Sequence, residues 1–281
     1  MARTIVTCTK CGRQASKHIM VGYQKNNRGQ RTAYICEDCA REMHGYTTKN
    51  NELRGARTVH PFTYGIELET SGSSEKARGE LAEYHFLPTA DCTVDVEYKS
   101  PIMNNLKSMS HLVKVIDRMM DNGEIEIGSN CGTHFHVGHK DLDAETMGYI
   151  RRFYHSLFLP LCEAMEAHPI ETREFWGRGF GHWSDTINES SYPTEHTNFI
   201  NVQHDRTIEF RIAFYRNGAQ YMNVAKFATK AVEAVMNNFV AHFNDSTFDT
   251  SRYANITEYR KHKAQVAGQK IAKAWMKAAN C

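Results

Sequence analysis

No stretch of about 18 consecutive apolar residues occurs in the 281-residue chain, so no membrane-spanning helix is expected. The opening segment MARTIVTCTK has no apolar core of signal-peptide length, and a cytoplasmic, reducing setting is the expectation. Charge of one sign is also scarce. The net charge is +2, too small to argue for nucleic acid, and the basic residues are scattered apart from a Lys/Arg-rich tail from Arg260 to Lys277. There is no internal repeat and no low-complexity tract. Cys92, Cys131, Cys162 and Cys281 lie far apart, which reads as isolated thiols rather than a disulfide framework.

What is present is enough apolar material for a real core, at 41% hydrophobic and 23% charged residues, in one large domain or two smaller ones. Residues 1–46 form a first unit, 47–57 (TTKNNELRGAR) a polar linker, and 58–281 an α+β domain. Strands are expected at 58–70, 93–99, 132–138, 197–203 and 206–214, the last two joined by a hairpin at Gln203-His204-Asp205. Helices are expected at 105–121, from Asp143 to about His168, at 219–242 and at 257–278. Residues 170–195 read as a loop rich in glycine, arginine and aromatics.

The first unit carries Cys8-x-x-Cys11 and Cys36-x-x-Cys39. Each such knuckle supplies two thiolates from one turn, and two of them suit a tetrahedral, structural Zn²⁺. The 24 residues between the pairs point to an intervening hairpin over roughly 17–24 and 30–35. A redox dithiol is the competing reading, and His18 or His44 could substitute as ligands. About 40 residues cannot build a sufficient core alone, so metal would staple the unit. Lys10, Arg13, Lys17, Lys25, Arg28 and Arg31 make it basic. That leaves open contact with nucleic acid or protein, or a merely solvated surface.

Four segments place polar residues two apart within apolar sequence: Glu67 and Glu69, Asp95 and Glu97, His134 and His136, Glu209 and Arg211. Residues two apart share one face of a strand. Ile66, Leu68, Val94, Val96, Phe135, Val137, Ile208, Phe210 and Ile212 would fill the other. Taken singly, each pair is also what an amphipathic strand with a solvated face shows. As a set, acids, imidazoles and an arginine are a poor match to a solvated face, which mixes Lys, Thr, Ser and Gln freely. Clustered carboxylates repel, so they call for counter-ions, and hard oxygen donors suit Mg²⁺ or Mn²⁺.

In order along the chain, G-I-E-L-E, then D-x-T-x(3)-E-x-K-S-P from Asp91 to Pro101, then C-G-T-H-F-H-V-G and R-T-I-E-F-R resemble the motifs of the amidoligase family. These are carboxylate–amine ligases grouped with glutamine synthetase and glutamate–cysteine ligase. The resemblance covers about 58–240 and leaves the cysteine unit outside. It implies a glutamine synthetase-like fold, a twisted antiparallel sheet funnel flanked by helices that holds ATP and Mg²⁺. It also implies an amide-forming reaction through an acyl phosphate, with carboxylate and amine substrates that the sequence does not identify. By matching position, Glu67, Glu69, Glu97, His134 and Glu209 are the implied metal ligands, with Asp95 as an addition. His136 resembles the position that contacts ATP phosphates, and Arg211 the arginine that steadies the transferring phosphoryl group. Lys99 sits where smaller residues are common in the family.

Arg206 is a further nucleotide-phosphate candidate, or a hairpin-edge charge. Arg173 and Arg178 flank Phe175-Trp176 in the expected loop and suit a lid over nucleotide or substrate. Asn198 and Asn201 are candidates for orienting substrate, and Cys131 reads as a buried spectator thiol. Two other functions stay open: a metal-dependent hydrolase, and a zinc-ribbon binding protein with a non-catalytic ligase-like domain.

Overall fold

The computed structural model describes residues 5–9, 11–16, 21–25, 31–35, 61–89, 94–181, 185–188, 191–193, 195, 197–211, 213–245 and 248–281. The first strands are β1 (Ile5–Thr7), β2 (Gln14–Ser16), β3 (Val21–Lys25), β4 (Arg31–Ile35), β5 (Phe62–Thr70) and β6 (Gly72–Ser73). Helix α1 (Glu75–Glu83), β7 (Leu87–Thr89), β8 (Val96–Lys99), α2 (Leu106–Asp121), β9 (Ile125–Glu126) and β10 (Thr133–His139) follow. Then come α3 (Ala144–Arg152), α4 (Tyr154–Ala167), α5 (Pro169–Trp176), β11 (Ile200–Asn201) and β12 (Thr207–Phe210). Helix α6 (Gly218–Val235) passes through a π turn (Met236–Val240) into α7 (Ala241–Phe243), and α8 (Ile256–Ala279) ends the chain. The protein is α+β, and its described residues form a mostly antiparallel six-stranded sheet flanked by helices and three two-stranded sheets.

Two compact units divide the chain: residues 1–59, 65–103 and 115–131 in the first, and 60–64, 104–114 and 132–281 in the second. In the first, β3 and β4 pair antiparallel, as the spacing of the cysteine knuckles anticipates, and β1 pairs with β2. The C-terminal part of β5 pairs with β8, and β8 with β7, both antiparallel. Alternation along β5 buries Ile66 and Leu68. Helix α1, which the apolar pattern does not reveal, starts at Ser74, whose hydroxyl accepts from Ala77 N at 3.1 Å and meets one of the unpaired N–H groups of the first turn. Only Ala77 and Leu81 anchor it, so its signal in sequence is faint.

In the second unit β10 pairs with β12, and β12 with β11, again antiparallel. Phe135, Val137, Ile208 and Phe210 on their apolar face are fully buried, as the alternation requires. The strands expected at 197–203 and 206–214 are shorter, at 200–201 and 207–210. The single helix expected from Asp143 to His168 is two helices. Asp143 caps α3 by accepting from Thr146 N at 2.8 Å, and Phe153, with φ −112° and ψ 22°, breaks the run before α4. Pro160 inside α4 has no N–H for the Ser156 carbonyl one turn back. Helix α8 closes on that spot at Gly268, where an added Cβ would lie 2.6 Å from Ser156 O and 2.8 Å from Leu157 O. The proline and the glycine together let two helix backbones touch.

The expected loop over 170–195 is helical in its first part. Pro169 begins α5 at a position where its missing N–H costs nothing, and Gly177 ends it at φ +88°. Phe175 and Trp176 are core residues, edge-on to Phe227, with Trp176 stacked on Phe210. The π turn carries α6 into α7, so that Phe239 and Phe243 both reach Phe153.

Candidate active site

In the first unit, the β5–β8 register sets Glu67 opposite Lys99 and Glu69 opposite Glu97. Like charges directly across a ladder are unfavourable. Lys99 Nζ donates to Glu67 Oε1 at 2.8 Å and lies 3.8 Å from Glu97 Oε2. Thr89 on β7 donates to Glu97 Oε2 at 2.7 Å. Burial and the neighbouring Glu67 carboxylate nonetheless raise the Glu97 carboxyl to about 7.

The Glu97 shift has a consequence for stability. Its folded pKa lies above its unfolded value, so the native state holds the proton more tightly, and unfolding releases it. Its contribution is fullest at low pH and is lost as pH rises from the ordinary carboxyl range through about 7. Without added divalent metal, urea midpoints should therefore fall between about pH 5 and pH 8, and Glu97→Gln should flatten that decline. An equal decline in the variant would mean that Glu97 does not carry this proton.

In the second unit, β10 and β12 place His136 opposite Glu209. The Glu209 side chain is only 2% exposed, and four cationic or potentially cationic groups surround it. Arg211 Nη1 donates to Oε1 at 2.7 Å, with His134 Nδ1 at 3.3 Å and His136 Nε2 at 4.0 Å from the same oxygen. His204 Nε2 lies 3.6 Å from Oε2. Burial alone would raise this carboxyl; His204, His136, Arg211 and His134 outweigh it and hold the group down at about 2. Arg211 Nε is buried without a hydrogen-bond partner among the described residues, so that edge of the guanidinium is left for a ligand. His136, His204 and Glu209 offer ligand atoms all within 4.8 Å of one another.

The other expected site residues have varied surroundings. Asp95 is half-exposed and pairs with Arg78 at 3.5 Å. Arg206 is exposed at the hairpin. Arg173 is exposed on α5 rather than in a loop, while Arg178 follows Gly177 and is partly buried. Asn198 and Asn201 are buried and do local work: Asn198 Nδ2 donates to Tyr192 O at 2.7 Å, and Asn201 Oδ1 accepts from Gln203 N at 2.8 Å. Cys131 is buried. Cys8 and Cys11 share a tight turn, in which Gly12 at φ +76° donates to Cys8 O at 2.9 Å. Cys36 and Cys39, the linker 47–57, and His18 and His44 lie outside the described residues.

Sequence reasoning missed four contributors. His204 was readable only as a hairpin residue. Arg151 fastens that hairpin, donating through Nε to Val202 O at 2.8 Å and through Nη2 to Gln203 O at 2.9 Å, His204 O at 3.3 Å and Asp205 Oδ1 at 3.1 Å. Gly138 makes room beneath it, since a Cβ there would meet Thr63 Oγ1 at 2.3 Å and Arg206 O at 3.1 Å. Thr89 is the fourth, visible only once β7 is known to flank β8.

Among the described residues, the buried carboxylates and imidazoles here offer the donor types that can hold a divalent cation. Residues 75–176 match the family described as "Putative amidoligase enzyme". That stretch holds Glu97, His134 and His136, while Glu67, Glu69, Glu209 and Arg211 lie outside it. The similarity marks this part of the chain as ligase-like. No curated protein matches the chain.

Proposed function

We propose that the protein is an ATP- and Mg²⁺-dependent carboxylate–amine ligase. The observation that carries this reading is Glu209, a buried carboxylate held ionised among three histidines and Arg211 on a chain with a ligase-like segment. The donor set fits the cofactor. Carboxylate oxygens of Glu67, Glu69 and Glu97 in the first unit, and of Glu209 with His134 in the second, suit Mg²⁺ or Mn²⁺, and a bound dication would favour the ionised form of the raised Glu97 carboxyl. His136, Arg206, Arg173 and Arg178 are the proposed contacts to nucleotide phosphates.

Bound Mg²⁺ would supply charge neutralisation at the phosphates of ATP. A free carboxylate acylates poorly, so its oxygen first takes the γ-phosphoryl group and ADP departs. An amine then attacks the acyl carbon, phosphate leaves, and the nitrogen's proton is lost to give an amide. Arg211 is anchored through Nη1 by Glu209, which fixes the guanidinium plane and turns its Nε edge away from that bond. Its charge is needed most as the phosphoryl group moves between oxygens. Glu209 would both bind metal and hold Arg211 in place.

ATP with Mg²⁺ should raise the melting temperature, because a ligand bound only by the native state stabilises it by mass action. ATP with excess chelator should do much less. Equal ATP affinity by calorimetry with and without Mg²⁺ would remove the glutamates from metal binding. A metal-dependent hydrolase is the second reading, favoured by the His136, His204 and Glu209 set. It makes no demand for ATP, so amide formation coupled to ADP release separates the two.

For the N-terminal unit, we propose a structural Zn²⁺ on Cys8, Cys11, Cys36 and Cys39, supported by the Gly12 turn that joins the first two. Cys36→Ser should lose one zinc per chain by metal analysis, and unchanged zinc content would reject it. The basic sequence of this unit suits contact with nucleic acid or protein.

A further inference from the structure

We infer that His204 joins His136 and Glu209 in a nitrogen-rich subsite that prefers Mn²⁺ over Mg²⁺. This rests on the ligase reading and refines it. The two oxygens of Glu209 have different surroundings. Oε1 accepts from Arg211 and has His134 beside it. Oε2 faces His204 Nε2 at 3.6 Å, too long for a hydrogen bond between them. Two donors on neighbouring positions of an octahedral ion, each about 2.1 Å from it, sit roughly 3.0 Å apart. A shift of about 0.6 Å by the half-exposed imidazole therefore brings both onto one ion. His136 completes the set, with its ring edge-on to that of His204 at 5.4 Å. Thr207 Oγ1 lies 3.5 Å from His136 Nδ1, on the side of the ring away from this subsite, leaving Nε2 directed at Glu209.

The position of His204 is built rather than incidental. Its side chain is about half exposed and could swing on a loose turn. Arg151 prevents that, binding three successive backbone carbonyls of the turn and the Asp205 carboxylate. A guanidinium committed to four acceptors fixes the turn as a shaped object. Gly138 admits the hairpin base close against β10. Two imidazoles on one carboxylate change which metal is favoured. Nitrogen donors suit transition metals, whereas Mg²⁺ takes oxygen donors and keeps its water. His136 would then act on nucleotide phosphates through the metal that it holds.

The test is direct metal binding by the full chain without nucleotide, using Mn²⁺ and Mg²⁺ as probes. Electron paramagnetic resonance counts free Mn²⁺, spin-echo modulation reports imidazole nitrogen, and calorimetry follows Mg²⁺. His204→Ala should weaken Mn²⁺ about 10- to 100-fold and reduce the nitrogen modulation, with Mg²⁺ affinity changed less than about threefold. Arg151→Met should weaken Mn²⁺ by a smaller factor while His204 remains. Unchanged Mn²⁺ affinity and modulation in His204→Ala, at unchanged melting temperature, overturns the inference. If Glu209→Gln still loses Mn²⁺ and Mg²⁺-dependent ATP binding in that case, the ligase reading stands without it. If Glu209→Gln loses neither, the ligase reading is what fails.

Discussion

Arg211→Ala should bind ATP almost as the parent does and turn over about 10²-fold more slowly or worse. On the ligase reading, metal would already meet the phosphate charge in the ground state, where Arg211 would add little that is unique. During phosphoryl transfer charge would spread over the oxygens, and the guanidinium edge that carries Nε would become its partner. Removing it takes away a contact specific to the transition state, so kcat should drop far more than KM rises. Glu209→Gln should behave differently, losing metal-dependent ATP binding as well as turnover, because the carboxylate faces all three histidines. The assay is ADP release with pooled carboxylates and amines, followed by mass spectrometry for a product lighter by one water. Full activity in Arg211→Ala would reduce this strand face to ordinary surface, and ADP release with no condensed product would favour an ATPase or kinase.

Gly177→Ala should destabilise the protein by about 2–5 kcal/mol in urea unfolding. Two costs coincide at this residue. Its φ of +88° is strained for any residue with a Cβ, and that Cβ would lie 2.2 Å from the Phe214 carbonyl oxygen. Neither can relax alone. The chain is tied here by Gly177 N donating to Arg173 O at 3.0 Å, Phe214 N to Trp176 O at 2.7 Å, and Arg216 Nε to Gly177 O at 3.1 Å. Gly179, with open space where its Cβ would sit, is the control, and Gly179→Ala should change stability by under about 0.5 kcal/mol. Equal effects in the two variants would show that the left-handed turn is not under strain.

Strand alternation carried most of what could be read beforehand. Glu67, Glu69, Glu97, His134, His136, Glu209 and Arg211 have a period of two that survives in any register, and the buried faces of β5, β10 and β12 follow from it. Helices α2 and α8 lie within two residues of their expected ends, since amphipathic runs with clear caps are local properties. The break at Phe153 had no such signal. No glycine or proline marks it, and the apolar spacing runs straight through. Helix α5 was hidden by glycine-rich sequence on its C-terminal side, although Pro169 is a starting signal in hindsight. His204 was illegible for a different reason. A hairpin residue carries no periodicity, and its distance from Glu209 depends on an arginine 53 residues earlier.

The π turn at Met236–Val240 has a meaning for how this chain could change length. Such a turn holds one residue more than a regular helix would need over the same stretch, so it behaves as an insertion absorbed in place. Deleting one residue there would restore ordinary helical winding and leave the helices on either side facing almost as they do now, whereas the same deletion in a regular helix would rotate everything after it by about 100°. Phe243 would keep its stack on Tyr149, 3.5 Å between ring centres, and its place beneath the Arg260 guanidinium. An indel that most helices would register as damage is already part of this one, and the segment is a place where relatives could differ by a single codon while keeping the helices on either side.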